Sequence, residues 1–217
     1  MRLHRFTFNP FQENTYVLSD DSGACVIIDP GCHTSAEQHQ LKHYIAENKL
    51  EPVRLLNTHC HIDHVLGNAF VARTYALNPE IHHLESAILS SAPQVGVAFG
   101  IQVEPSPEAI AFLTPGHPLS FGETTLEILF APGHSPGSVC FYHAGSELLI
   151  GGDVIFRHSI GRTDLPGGDF DTLIASIRDG LFKLPDATVV HPGHGDHTTI
   201  GHEKKHNPFV GLNEPHA

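Results

Sequence analysis

The sequence predicts an α+β fold in which two β-sheets pack face to face with helices on their outer sides, an αββα sandwich. Two observations carry this prediction. Strand-like runs come in two batches along the chain, and helix-forming segments follow each batch. The 217 residues, 40% of them hydrophobic, suffice for a single domain over residues 1–217 with a large buried core.

The first batch occupies the N-terminal part of the chain. Apolar, β-prone runs broken by turn-forming residues predict strands at 3–8, 14–18 and 25–28. Thr34 or Ser35 can cap a helix that runs to about residue 48. A buried strand at 53–56 and an apolar-patterned helix at about 64–77 are expected to follow.

The second batch begins after a segment that is harder to interpret. Residues 86–120 are rich in serine, proline and glycine, and they predict only a short helix near 84–90 and one wall of a pocket. Strands are predicted at 125–130, 139–142, 148–150 and 188–191. Helical spacing of apolar residues predicts a helix at 170–182, and a terminal helix is expected at 199–206.

Charge and cysteine content narrow the classes of partner. A formal net charge of -12 argues against binding to nucleic acid or to an anionic membrane. The N-terminus lacks the apolar core of a secretory signal, and no stretch has the apolar length of a membrane span. The four cysteines are scattered and match neither a disulfide scaffold nor a C-x-x-C zinc pattern. We therefore expect a cytoplasmic protein that acts on a small molecule, with an oligomeric state that the sequence does not indicate.

Histidine is abundant, with 19 residues against 12 lysines and arginines together. Some of these histidines lie in polar surroundings outside any motif and are expected to be solvated: His39, His43, His202, His206 and His216. The others include a dense group near residue 60 that calls for a chemical explanation.

Three imidazoles and one carboxylate lie within six residues, directly after an apolar strand. In an extended turn His59 and His61 point the same way, because side-chain direction alternates along the chain. Asp63 and His64 can swing towards a neighbouring position as the chain enters a helix. One loop can thus supply two ligands to each of two adjacent cations, and this ligand set suits zinc, iron or manganese. Cys60 faces away and is expected to pack.

This H-x-H-x-D-H loop resembles the metal-binding loop of the metallo-β-lactamase superfamily, and three later elements match it too. His134 lies in a P-G-H-S-x-G run, Asp153 follows two glycines, and His194 lies in a P-G-H-G run. The joint match of four separated motifs spans nearly the whole chain. The resemblance implies the metallo-β-lactamase fold, which is an αββα sandwich.

The resemblance also implies a binuclear centre with two divalent metal ions, zinc by preference and iron or manganese as alternatives. The first ion is held by His59, His61 and His134. The second ion is held by Asp63, His64 and His194. Asp153 bridges the two ions. Asp29, at the end of an apolar strand, is expected to orient a ligand and fix the tautomer of an imidazole. Its alternative role is a strand-ending turn in which the carboxylate accepts local backbone hydrogen bonds.

The implied chemistry is hydrolysis by a metal-bridging hydroxide. Two adjacent cations lower the pKa of the water between them to about 7. One cation also polarises the substrate carbonyl and stabilises the oxyanion. Asp63 either accepts the remaining proton of the bridging oxygen or orients that oxygen.

Asp153 narrows the substrate, since lactam-cleaving members with the same first-site histidines typically carry cysteine there. A carboxylate instead points to thioesters, lactones, phosphodiesters or persulfides. The chain resembles glyoxalase II, which hydrolyses acylglutathione thioesters such as S-lactoylglutathione. Its ending at 198–209 resembles small bacterial glyoxalase-II-like proteins, so we expect no extra helical C-terminal domain. By this resemblance Arg162 grips a glutathione carboxylate, and the alternative is an ion pair with Asp164 or Asp169.

Three other functions stay open. A mononuclear iron persulfide dioxygenase acting on glutathione persulfide has the same fold, and its relatives carry a run like Gly161-Arg162-Thr163-Asp164. Those enzymes use only the first-site histidines with the aspartate, so complete second-site ligands favour hydrolysis. A metal-binding module without activity and a lactonase are the remaining alternatives.

Overall fold

The computed structural model describes residues 1–212. Its strands are β1 (Arg2–Phe8), β2 (Glu13–Ser19), β3 (Ala24–Ile28), β4 (Glu51–Leu56), β5 (Pro79–Ile81), β6 (Ala111–Phe112), β7 (Leu119–Phe121), β8 (Thr124–Phe130), β9 (Val139–His143), β10 (Leu148–Gly152), β11 (Ile155–Phe156), β12 (Ser159–Ile160), β13 (Val189–Pro192) and β14 (Thr198–Thr199). Its helices are α1 (Ser35–Glu47), α2 (Ile62–Val65), α3 (Asn68–Tyr75), α4 (Ser86–Phe99), α5 (Phe170–Ala175) and α6 (Ile200–His206).

The strands form two six-stranded sheets and one small hairpin. The first sheet has the order β1-β2-β3-β4-β5-β6, and the second has the order β14-β13-β10-β9-β8-β7. In the first sheet β1, β2 and β3 pair antiparallel, and the strands from β3 to β6 pair parallel. Strands β11 and β12 form the hairpin.

The two sheets pack face to face, because apolar residues alternate along their strands. In β2 and β3 one set of side chains (Tyr16, Leu18, Val26 and Ile28) points towards the second sheet and meets Ile128 and Phe141 there. The intervening residues point outwards and are covered by helices. Val17 and Ile27 pack with Leu41 of α1, and in the second sheet Leu149 packs with Leu173 of α5. The predicted αββα sandwich is therefore confirmed.

The helix predicted at 64–77 is wrong as a single element. The backbone N–H of Gly67 donates to Pro30 O at 2.7 Å instead of continuing a helix. Residue 67 has no room for a side chain either, since a Cβ would lie 2.7 Å from Pro30 O. The segment is therefore split into α2 and α3, and Asp63 and His64 lie in the short first helix.

The segment at 86–120 contains a longer helix than the sequence predicts. Helix α4 covers 14 residues and passes through Pro93 and Gly96, which signal a loop when read locally. A Cβ at Gly96 would lie 2.6 Å from Ile101 O, so the glycine lets the following chain fold back on the helix. The helix predicted at 170–182 begins as α5 and continues through a π-helical turn, Ser176–Gly180, and a 3₁₀ turn, Leu181–Lys183. Within residues 1–212 no helix is long and apolar enough to cross a membrane.

Candidate metal centre

Four loops carry the predicted ligands to one edge of the sandwich. Strands β8 and β10 run in the same direction because β9 is antiparallel to both, and β13 pairs parallel with β10. The residues that follow these three strands therefore emerge at the same edge: His134, Asp153 and His194. The fourth loop follows β4 in the facing sheet, and a hydrogen bond of 2.9 Å from Val139 N to Thr58 O joins the two sheets there.

The loop after β4 is held by two asparagine side chains. Asn57 Nδ2 donates to His64 O at 3.0 Å, and Asn9 Nδ2 donates to Asp63 O at 3.0 Å. His61 is the N-cap of α2, and Asp63 and His64 lie in the single turn of that helix. Neither asparagine belongs to a motif that could be recognised in the sequence.

The first cluster contains His59, His61 and His134. His134 Nε2 lies 2.8 Å from His61 Nδ1 and 3.2 Å from His59 Nε2. Three ring nitrogens thus converge on one point, and their positions would allow them to share one metal ion. The structure places these three predicted ligands together.

The second cluster contains Asp63, His64 and His194, and Asp153 lies between the two clusters. His194 Nε2 is 3.0 Å from Asp63 Oδ2, and His64 Nε2 is 3.6 Å from the same oxygen. One oxygen of Asp153 is 3.4 Å from His64 Nε2, and the other is 3.6 Å from His134 Nε2. The sequence-predicted ligands therefore lie in one site.

Gly193 is needed at this point because the backbone passes directly behind the site. A Cβ on residue 193 would collide with Asp153 Oδ1 and would lie 2.7 Å from His64 Cε1. Glycine is the one residue that brings the chain this close to both side chains while it places His194 in the second cluster.

Hydrogen bonds on the outer side of each ring fix which nitrogen faces the centre. His134 Nδ1 lies 2.7 Å from Arg162 O, and His194 Nδ1 lies 3.1 Å from Phe11 O. Because a carbonyl oxygen can only accept, both Nδ1 atoms are donors, and each Nε2 keeps its lone pair for a cation.

Asp29 contacts the outer nitrogen of a third ring, that of His64. Its Oδ2 lies 3.1 Å from His64 Nδ1 and accepts a hydrogen bond of 2.6 Å from Thr58 Oγ1, while Oδ1 accepts Thr58 N at 2.7 Å. Thr58 Oγ1 also lies 3.1 Å from His59 Nδ1. The carboxylate thus contacts a histidine of the centre, as the first interpretation expects, and the backbone N–H that it accepts belongs to Thr58, 29 residues along the chain, rather than to a local turn.

The two clusters differ in electrostatics. Burial, helped by neighbouring imidazoles, lowers the pKa of His59 well below its usual value, and it lowers the pKa of His61 to about 4. Burial also opposes the charged form of His64, but the carboxylates of Asp63 and Asp153 outweigh it and raise the pKa of this ring. His59 and His61 of the first cluster are thus held neutral, and the carboxylates lie in and beside the second cluster.

Two buried atoms show that a cation fits this centre. His64 Nε2 and Asp153 Oδ1 are buried without any hydrogen-bond partner, although they face each other at 3.4 Å. Unpaired buried polar atoms are costly, and a divalent cation between them would satisfy both. Imidazole and carboxylate are also the ligands that zinc, iron and manganese accept.

Glu85 is a residue of the site that sequence reasoning missed. It is fully buried and accepts three hydrogen bonds, from Cys60 N at 2.8 Å, Ser135 Oγ at 2.6 Å and Gly137 N at 2.7 Å. One carboxylate thus joins the loop of His59 to the loop of His134. No spacing rule links residue 85 to either loop, because the contact depends on where α4 begins in three dimensions.

The centre opens into a cavity of about 540 Å³. Helix α4 lines the cavity mainly with apolar side chains, those of Ile88, Ala92, Val95 and Phe99, so the predicted pocket wall in segment 86–120 is observed. Arg162 also lines the cavity, and its guanidinium makes two hydrogen bonds of 2.7 Å to Asp164. This ion pair is the alternative that the sequence left open for Arg162. Both partners are largely exposed, with 62% and 68% of their side chains accessible.

Of the five histidines expected to be solvated, His39, His43 and His206 are exposed. His202 is different, because it is half-buried and stacks against His158. That expectation is wrong for His202, since α6 packs beside the β11–β12 hairpin. His216 lies outside the described residues.

Comparison with known proteins identifies the family. A family model described as the metallo-beta-lactamase superfamily matches residues 8–194. The chain belongs to this superfamily of metallo-hydrolases, which confirms the resemblance carried by the four motifs. The fold, with the His and Asp clusters described above, implies that the centre binds divalent metal.

Two relatives and two solved structures give more detail. The chain is 40% identical to a probable metallo-hydrolase, YqgX, of Bacillus subtilis, over 97% of this chain and 98% of the relative. It is 36% identical to the hydroxyacylglutathione hydrolase GloC of Haemophilus influenzae, over 97% and 99%. The B3 metallo-beta-lactamase BLEG-1 superposes with a TM-score of 0.89 at 36% identity, over 96% and 99%. TTHA1623 in a di-iron-bound form superposes with a TM-score of 0.86 at 37% identity, over 95% and 99%.

Proposed function

We propose that the chain is a binuclear metal-dependent thioesterase that hydrolyses acylglutathione thioesters such as S-lactoylglutathione. The observation that carries this proposal is the position of Asp153. Its two carboxylate oxygens approach ring nitrogens of both clusters, at 3.4 Å and 3.6 Å. A carboxylate placed in this way can serve both clusters, so the two sets of ligands would act as one reaction centre.

In this proposal the first cluster would hold one ion and the second cluster another, and Asp153 would serve both. When bound, the two ions supply a water of lowered pKa as the nucleophile and withdraw electron density from the substrate carbonyl. Zinc is the proposed ion, and the di-iron-bound neighbour supports iron as an alternative. The chain's own residues keep each ring in one tautomer and place the carboxylates beside them.

Asp63 is the proposed residue that either orients the water or accepts its proton. Burial opposes ionisation of this carboxyl, but the imidazoles of His64 and His194 together outweigh it, and the pKa of Asp63 is lowered. The side chain is thus an anion at neutral pH. Its Oδ2 lies 3.0 Å from His194 Nε2, and the carboxylate lines the cavity, where substrate would enter.

Arg162 is the proposed contact for a carboxylate of glutathione. It lies on the cavity, it is exposed, and its guanidinium already holds a carboxylate in a two-point arrangement, that of Asp164. A substrate carboxylate would compete with Asp164 for the same face of the guanidinium. The relative named hydroxyacylglutathione hydrolase supports glutathione as the thiol.

The test is hydrolysis of S-lactoylglutathione by purified protein whose bound metal is quantified in the same sample. We expect turnover with close to two metal ions per chain, and a loss of at least about 100-fold in Asp63→Asn. Asp171→Asn, an exposed carboxylate on α5, is the matched control and should keep full activity.

The same preparation should be given a cephalosporin and, with an oxygen electrode, glutathione persulfide. Cleavage of the cephalosporin in place of the thioester would replace the proposal with the lactamase activity named for BLEG-1. Oxygen uptake with one iron per chain would replace it with a persulfide dioxygenase. A fully metal-loaded protein without thioester turnover would contradict the proposal.

A further inference from the structure

A second group of metal-binding side chains lies on the surface, away from the seven ligands of the centre. His158 forms part of the tight turn between β11 and β12, and His202 and Glu203 lie on α6. One donor atom from each of these residues lies within 4.8 Å of the other two. The two parts of the chain that meet here are more than 40 residues apart in sequence.

The two imidazoles bring one nitrogen each to the same place. Their Nε2 atoms are 2.5 Å apart, and the rings are stacked with centroids 4.8 Å apart and an angle of 13°. That separation lies below the range of about 2.7–3.2 Å for hydrogen bonds donated by nitrogen. Zinc holds imidazole nitrogens at about 2.0–2.1 Å in a tetrahedral arrangement, so the two rings would turn slightly apart to bind one ion.

Glu203 can supply a third donor because its carboxylate still has capacity. It is buried and accepts three hydrogen bonds, from Thr198 Oγ1 on Oε1 and from His158 N and Asn207 Nδ2 on Oε2. A carboxylate has about four lone-pair positions. The remaining one is on Oε1, the oxygen that lies 4.0 Å from His202 Nε2.

The backbone holds His158 in place. Its φ of 61° is left-handed, a conformation that glycine adopts far more easily than histidine. The hydrogen bond of 3.0 Å from His158 N to the buried Glu203 fixes this turn against α6. His206, one helical turn after His202, has its ring centroid 4.7 Å from that of His202 and extends the imidazole surface.

We propose that His158, His202 and Glu203 form a second site for a divalent transition metal such as zinc, separate from the catalytic centre. The ion ties the β11–β12 turn to α6. Phe156 and Ile160 lie in this hairpin and line the active-site cavity, so the bound ion stabilises one wall of the substrate pocket.

The experiment is a calorimetric titration of Zn²⁺ into protein whose catalytic centre is already loaded with zinc. We expect the wild-type chain to bind one further ion. His202→Ala should weaken that binding by at least about tenfold, the scale of losses seen even for residues that only support a ligand. The thermal midpoint of the wild type should rise with added zinc more than that of the variant.

His158→Gly is the second variant, and glycine suits the left-handed turn, so it should fold while it also loses the additional ion. The matched control is His39→Ala/His43→Ala, since these two exposed rings are also one turn apart on a helix, with centroids 5.8 Å apart. If this control loses the binding, or if both His158→Gly and His202→Ala keep it, the proposed site is wrong. Hydrolysis by the catalytic centre should continue in His202→Ala, so this result is independent of the proposed thioesterase.

Discussion

The two walls of the active-site cavity are built in different ways. The ligand wall consists of buried polar side chains, and nearly every ring has an assigned partner on its outer side, such as Arg162 O behind His134 and Phe11 O behind His194. The wall on α4 is mainly apolar and partly open to solvent, with Val95 38% and Phe99 58% exposed. The ligand wall is fixed by many directional contacts, whereas the side chains of the α4 wall make a single one among the described residues, from Ser91 Oγ to Ile88 O within the helix.

This difference separates chemistry from substrate selection. Hydrogen bonds fix orientation, so a displaced polar partner on the ligand wall disturbs the whole centre. Apolar contacts are non-directional and tolerate repacking, so changes on α4 alter which substrates bind and leave the reaction itself intact. Five predictions, taken from the largest expected effect to the smallest, test this division.

Asp153→Asn should have the largest effect. The substitution keeps the size of the side chain but removes the charge that contacts both clusters. We expect kcat/KM for S-lactoylglutathione to fall by about 10³-fold, the scale of losing one electrostatic group of a reaction centre, and the metal content to fall below two ions per chain. Steady-state kinetics and metal analysis of the same sample measure the turnover and the metal content. If the variant keeps its metal and near-normal turnover, Asp153 is not part of the reaction centre.

Asp29→Asn tests the support behind the ligand wall. Asn tolerates the left-handed backbone of residue 29, whose φ is 49°, so the fold should be kept. The amide cannot accept from both Thr58 and His64 as the carboxylate does, and we expect metal affinity to fall by about 10–100-fold. Competition with a chelating dye measures this. An affinity equal to that of the wild type would mean that Asp29 is only a turn residue.

The contrast between the two walls also explains which features of the molecule could be predicted from the sequence. The ligands follow strand ends in recognisable motifs, so H-x-H-x-D-H and the later histidines could be recognised locally. The inner and outer faces of β2 and β3 follow from simple alternation of apolar residues, as Val17 between Tyr16 and Leu18 illustrates. These features depend on neighbours in the chain.

The features that could not be predicted depend on contacts between distant segments. Helix α4 continues through Pro93 and Gly96 because later residues pack back on it, which no local propensity reports. Gly67 ends a helix through a hydrogen bond to Pro30, and Glu85 reaches two ligand loops at once. His202 approaches His158 only because α6 packs beside the hairpin.

Glu85→Gln should have an intermediate effect. Its amide presents only one acceptor oxygen, so either Cys60 N or the Ser135–Gly137 pair loses its partner. A buried donor left unsatisfied costs about 1–3 kcal/mol, and we expect that loss in the free energy of unfolding by urea. Glu104→Gln, which breaks only the exposed ion pair with Arg73, is the control and should cost less than about 1 kcal/mol. Equal losses in both variants would show that Glu85 does not join the loops.

Asp164→Asn and Arg162→Gln should shift KM in opposite directions. Removing the Asp164 carboxylate frees the guanidinium, so KM for S-lactoylglutathione should fall a few-fold. Arg162→Gln should raise KM a few-fold. In both variants kcat should change little, and the small size of the effects is that expected of an exposed ion pair. The pKa of Asp164 is held at about 2 by Arg162, so the ion pair persists across the whole neutral range. If neither variant changes KM, Arg162 is not a substrate contact.

Phe99→Ala should have the smallest effect and tests the apolar wall directly. Phe99 stands at the end of α4 and packs edge-on against Phe11, with ring centroids 5.4 Å apart. Because the ring is more than half exposed, its loss should remove about 0.5–1 kcal/mol of apolar contact with substrate, a two- to fivefold rise in KM. The kcat and the metal content should be unchanged, and thioesters with bulkier acyl groups should be affected most. A large fall in kcat would contradict the division of roles between the two walls, because it would mean that the α4 wall also positions the reacting groups.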